Sequence, residues 1–207
     1  MKLKKKAKLI VIGIILIVII GIASVAVIKF LPKEEKVKEV KVLKSIDEYG
    51  YHLKDNKTDK YKTLFKELED ILRAEKVDDE AYAKKLAEMF IYDFYSLNDK
   101  AAKTDVGGVE FIHPNAVENF LLNAEDTYYK YVESNIYNER KQELPTVSTV
   151  TIDSITPTEY AYNNEKHSGY EVKLSWSYTN EKFADYQKTA TVILIKSEIK
   201  YYIVEVQ

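Results

Sequence analysis

Gly169-Tyr170-Glu171-Val172-Lys173-Leu174-Ser175-Trp176-Ser177-Tyr178-Thr179 decides how the C-terminal half of the chain folds. Tyr170, Val172, Leu174, Trp176 and Tyr178 alternate without a break with charged and hydroxyl residues. A period of two places all five on one face of an extended strand, so that face is buried and the other is wet. The same period runs outward from it, giving strand candidates over residues 146–154, 187–197 and 200–206. A tight connection at Glu198 and a loop over 180–186 make consecutive antiparallel hairpins the expected topology. Between the first two strands, residues 163–168 read as a polar loop holding His167.

Upstream of Pro145 the period becomes helical. Tyr61, Leu64, Phe65, Leu68, Ile71 and Leu72 recur at steps of three and four among Lys, Glu and Asp, which predicts an amphipathic helix over 58–75. Asp78 and Asp79 can cap a second helix whose apolar face is Tyr82, Leu86, Met89, Phe90, Phe94 and Leu97, stopping near Asn98. Pro114 suits the first position of a third helix carrying Val117, Phe120, Leu121, Ala124, Tyr128 and Tyr131, expected to end near Asn138. Helices followed by an antiparallel sheet make an α+β fold, with three helices packed on about four curved strands.

The N-terminal part is of another kind. Residues 9–28 are 20 consecutive residues without a charge, 15 of them Leu, Ile or Val, enough for a transmembrane helix spanning a bilayer's hydrocarbon core. Lys2, Lys4, Lys5, Lys6 and Lys8 precede the run and only Lys29 follows closely, so the positive-inside bias places the N-terminus in the cytoplasm. The expected organisation is a basic cytoplasmic tail over 1–8, a membrane span over 9–28, a charged tether over 29–57, and an exported α+β domain over 58–207. Ser24-Val25-Ala26 also permits cleavage after Ala26 as a signal peptide, an alternative to a retained anchor that exports the same domain.

Composition narrows the function classes. With no cysteine there is no disulfide framework, thiolate metal site or cysteine nucleophile. Beyond residue 30 the chain keeps 25 basic against 33 acidic residues, so its charge of about −8 gives no footprint for nucleic acid or anionic lipid heads. His52, His113 and His167 stand in separate segments without metal-ligand spacing. There is no Gly-rich loop ending in Lys-Ser/Thr and no Gly-x-Ser-x-Gly elbow. The reading therefore assigns no cofactor, metal or catalytic residue.

Two groups of residues remain as candidates. Asp93 lies at the edge of the second helix's apolar face between Tyr92 and Tyr95, and with Trp176 from the clearest strand these four could line a pocket. Tyr128, Tyr129 and Tyr131 put rings on more than one side of the third helix, and with Gly107 and Gly108 in the preceding loop they form a candidate partner surface.

Three helices and then long strands over 58–207, closed by the Leu194-Ile195-Lys196 to Tyr201-Tyr202-Ile203-Val204-Glu205 hairpin, resemble the cone-shaped NTF2-like fold. That resemblance implies either a pocket enzyme, a ligand binder or a membrane-tethered assembly part, and by itself does not choose among them. The whole chain, notably Tyr49-Gly50-Tyr51, Asp105-Val106-Gly107-Gly108-Val109 and Lys141-Gln142-Glu143-Leu144-Pro145, resembles membrane-anchored proteins of Firmicutes and their wall-less relatives. Together these readings lead to a single-pass plasma-membrane protein that contacts lipid through residues 9–28. Its exported domain is expected to be a non-catalytic interaction or scaffold module binding other envelope proteins. Small-molecule binding, or pocket-acid catalysis in the cone, is the alternative.

Overall fold

The computed structural model describes residues 40–207. They form an α+β unit that begins with a short hairpin, β1 (Val42–Ile46) and β2 (Tyr51–Lys54), turned at Gly50 with φ 66°. Helices α1 (Asp59–Leu72) and α2 (Asp79–Tyr95) follow. After a stretch with 3-10 turns at Val109–Phe111 and Pro114–Ala116 comes α3 (Val117–Asp126). The chain closes with β3 (Val147–Tyr162), β4 (Glu165–Tyr178), β5 (Thr189–Ser197) and β6 (Lys200–Val206), one antiparallel sheet in the order β3-β4-β5-β6.

Local chemistry sets these boundaries. Thr58 caps α1 through its hydroxyl, which accepts the Tyr61 N–H at 3.2 Å, and the Asp78 carboxylate accepts the Glu80 and Ala81 amides at 3.0 Å to open α2. Asn163 and Asn164 both take positive φ, 52° and 65°, so β3 and β4 are joined by a two-residue turn with Tyr162 opposite Glu165. Glu198 at φ 56° turns β5 into β6. The buried face consists of Tyr61, Leu64, Phe65 and Leu68 from α1, nearly one whole side of α2, and Val172, Leu174, Trp176, Val192, Leu194, Tyr201 and Ile203 from the sheet.

The expected fold class counted a transmembrane helix over residues 9–28, but among the described residues no helix is long and apolar enough to cross a membrane. The architecture shown is α+β with three helices and a four-stranded sheet, and the apolar run itself lies outside the described residues, as do the tail over 1–8 and the start of the tether. The NTF2-like reading had the domain open directly on helices, whereas a β-hairpin comes first. Nor is the tether unstructured through residue 57. Ile46, Tyr49, Tyr51 and Leu53 are buried in the main core, where the Tyr51 and Tyr82 hydroxyls meet at 2.7 Å.

The third helix is shorter than the periodicity suggested, ending at Asp126 because the chain turns at Thr127 and packs Tyr129 inward. The supposed loop over 163–168 is mostly strand, since β3 and β4 continue past the point where β5 begins to pair with β4 at Gly169. This free ribbon, which carries His167, bends across the sheet. Tyr160 at its end hydrogen-bonds Glu205 on β6, and the Tyr162 ring lies 4.6 Å from that of His113.

Candidate functional site

Asp93 is buried at the C-terminal end of α2 and fully committed. Its Oδ1 accepts from Lys57 Nζ at 2.5 Å and Lys100 Nζ at 3.0 Å, while Oδ2 accepts the Gly108 N–H at 2.8 Å. Burial alone would raise its pKa. The two ammonium groups and the amide outweigh burial and hold the carboxyl well below the usual carboxylate range. Lys100 is only 3% exposed and bonds Asp99 as well as Asp93; burial opposes its charge, yet the two carboxylates keep it protonated above the ordinary lysine range. A carboxylate locked this way cannot shuttle protons near neutral pH. The pocket-acid role considered for Asp93 is thereby replaced by a structural one.

The paired glycines serve the same anchor. A Cβ on Gly107 would come within 2.1 Å of the Asp93 carbonyl oxygen, and one on Gly108, already at φ 73°, within 2.6 Å of the Phe90 ring. Both are buried, so they are not a partner surface. Tyr129 is buried too, its hydroxyl accepting the Gly107 N–H at 3.0 Å and donating to the Phe94 carbonyl at 2.7 Å. Of the five residues proposed for contact, Tyr131 is open, at 76% exposure, and Tyr128 is half-buried.

The four pocket candidates do not converge on one cavity. Tyr92 donates to the Ser148 carbonyl at 3.0 Å, and Trp176, 5% exposed, packs its ring 4.4 Å from that of Tyr95. Of the four, Tyr95 lines an open space. That space is a groove of about 730 Å³ between α3, the end of α2 and the outer edge of β6. Its floor is aromatic. Phe90 and Phe94 stack at 5.3 Å and 10°, and Phe120 and Tyr128 lie 5.4 and 5.7 Å from Phe94. Asn119, Asn123 and Thr127 of the α3 side form one wall, and Val204, Glu205 and Val206 form the other.

Three of the groove's polar side chains, Tyr128, Thr127 and Glu205, are already engaged. The Tyr128 hydroxyl bonds that of Tyr178 at 3.1 Å, which in turn donates to the Gln187 carbonyl at 2.8 Å. Burial first, and then that bond to Tyr178, push the Tyr128 phenol far up, so it stays neutral. Thr127 Oγ1 donates to the Asn123 carbonyl at 2.5 Å. Glu205 is the only ionisable carboxylate lining the groove; bonds from Tyr160 and Gln207 lower its pKa. Such a lining, aromatic on its floor, suits apolar or aromatic groups.

A second, more open hollow of about 590 Å³ holds Asp79 and Lys196, which neutralise each other at 2.7 and 2.8 Å. Among the described residues no group of three or more His, Asp or Glu is placed to hold a metal ion.

The groove escaped the sequence reading because three distant segments build it. A signal existed in α3, where Asn119 and Asn123 stand one turn apart beside Phe120, a polar pair bordering an aromatic on the face expected to be buried. No protein-family model, curated protein or solved structure matches the chain, so the resemblances drawn from element order and short motifs gain no support from comparison.

Proposed function

We propose that the domain over 40–207 is a non-catalytic interaction module of the cell envelope whose contact surface is the aromatic groove. In this reading it is held at the outer face of the plasma membrane by insertion of the apolar run over 9–28. The observation that carries the proposal is an open groove of about 730 Å³ floored by Phe90, Phe94, Phe120 and Tyr128, in which Thr127, Tyr128 and Glu205 are already bonded. Aromatic side chains give large contact area with few rotatable bonds, which is what recognition surfaces exploit. The five lysines before the apolar run support a cytoplasmic N-terminus and hence an external domain.

A second reading, capture of a small apolar molecule, is favoured by the groove's volume, which falls within the roughly 300–1,000 Å³ of ligand pockets. A photo-crosslinking residue placed at Asn123 in the full chain in native membranes separates the two. A discrete protein adduct at Asn123, absent from the same probe at the hairpin tip Asn164, is the expected result. A probe at Asn123 that yields no protein adduct, with a small apolar molecule co-purifying instead, overturns the interaction reading.

A further inference from the structure

The β6 wall of the groove is a strand edge partly used by the chain itself. Ile112 forms a parallel bridge with Ile203, and the His113 N–H donates to the Ile203 carbonyl at 3.0 Å. The pairing then stops because the next residue is Pro114, which has no N–H and starts a 3-10 turn. On its inner side β6 remains paired to the end. Thr191 and Gln207 exchange both N–H···O bonds at 2.9 Å, so Val206, one residue back and opposite Val192, turns its N–H and C=O outward along the groove. A bulge at Val204, between the pairs Ile193–Glu205 and Leu194–Ile203, leaves that residue without a partner on β5. Among the described residues no backbone hydrogen bond meets the outer edge from Val204 to Val206. An edge left open in this way is a template for another strand.

We propose that the groove takes an extended polypeptide segment, which adds as a strand to the outer edge of β6 beyond Ile203 and sets alternate apolar side chains on Phe94, Phe120 and Tyr128. This deepens the interaction reading and rests on it. Ile112 and His113 show the edge pairing with extended backbone over one bridge, and the groove alongside supplies the pocket that every second side chain of an added strand requires. The recess between α3 and β6 admits a single chain more readily than the edge of a second folded sheet, which favours a flexible segment of a partner over another copy of this protein. Charge narrows the partner further. α3 carries Glu118, Glu125 and Asp126 with no basic residue, and Glu205 stands on the facing wall, so the apolar residues of the segment are flanked by Lys or Arg.

The test uses the full chain in detergent micelles and a phage-displayed library of random 12-residue peptides, with the recovered peptides resynthesised. The expected peptides alternate apolar residues between basic flanks. N-methylation of their backbone at every second residue weakens binding about tenfold, and methylation of the intervening residues changes it less than about twofold, the signature of strand addition. In the protein, Val206→Pro removes the outward N–H without touching a β5–β6 bond and abolishes binding. The methylation scan is independent of how that variant folds. Binding indifferent to methylation overturns the proposal, as does a selection that recovers no peptide or a protein that pairs with itself through Val206. If that happens while the Asn123 probe still captures a protein, only strand addition falls and the groove keeps its role as contact surface.

Discussion

Tyr160 and Glu205 stand on the two outermost strands of a four-stranded sheet, β3 and β6, yet their side chains are hydrogen-bonded. Only a strongly curled sheet allows this. The β3–β4 ribbon runs past the end of its pairing with β5 and bends across to β6, so this one bond fixes a carboxylate in the groove wall and ties down the free end of the ribbon.

Replacing Tyr160 by Phe tests this tie. Glu205's pKa is lowered first by the Tyr160 bond, so the carboxyl rises towards the ordinary value in Tyr160→Phe, as an NMR titration will show. A depressed carboxyl adds stability above its unfolded pKa of about 4.3 and loses it as pH falls through the folded value. The variant should therefore lose about 0.5–1.5 kcal/mol at pH 7 and less at pH 3.

Asp93 is the centre of a buried ion cluster, and its removal should be felt far more. Asp93→Asn leaves Lys100 buried with only Asp99 beside it and loosens Gly108, at a cost of roughly 3–5 kcal/mol at neutral pH. Its folded pKa is depressed, so the parent's advantage over Asp93→Asn is complete above the unfolded pKa of about 3.9 and shrinks as pH falls below it. Lys100 shifts upward, so its contribution holds below its unfolded pKa of about 10.4 and is lost only as pH rises beyond it. Urea unfolding of both proteins from pH 2.5 to 7 checks the convergence; a gap unchanged down to pH 2.5 would refute the assignment.

The opening hairpin makes the domain longer than the periodic segments alone. A chain over 40–207 should unfold cooperatively, whereas one over 58–207 loses Tyr49, Tyr51 and Leu53, uncovers Tyr82 and should show no sharp thermal transition by circular dichroism. Tyr51→Phe is the mild version, costing about 1 kcal/mol through one lost hydroxyl bond.

Legibility follows element length and locality. The alternation from Tyr170 to Tyr178 and the steps from Tyr61 to Leu72 extend over enough residues for one period to dominate, and both elements form where expected. Tyr51-His52-Leu53-Lys54 alternates too, but over four residues beside a charged stretch, too short to separate from a turn. Asp93 stands out in sequence as a carboxylate among aromatics. Its role is decided by Lys57 from the loop before α1 and by Lys100 and Gly108 from the loop after α2, a convergence no local pattern records. The groove is less legible still, since α2, α3 and β6 each supply an unremarkable part.

Trp176 and Phe120 provide the last contrast, because both are large aromatics and only one borders open space. Trp176 is 5% exposed and packed on Tyr95, so Trp176→Ala should leave a cavity costing roughly 3–5 kcal/mol, and the parent's tryptophan fluorescence should resist an aqueous quencher such as iodide. Phe90 stacks on Phe94 at the groove, and the Phe120 ring lies tilted against Phe94 at 5.4 Å. Phe120 is half-buried, with solvent already on one side, so Phe120→Ala removes less packing and should cost less than half as much, while enlarging the groove. Chemical denaturation of the two variants beside the parent measures the ratio. Equal losses, or ready quenching of Trp176, would place the open space under the sheet at Trp176 and not between α3 and β6, and the groove would lose its standing as the contact surface.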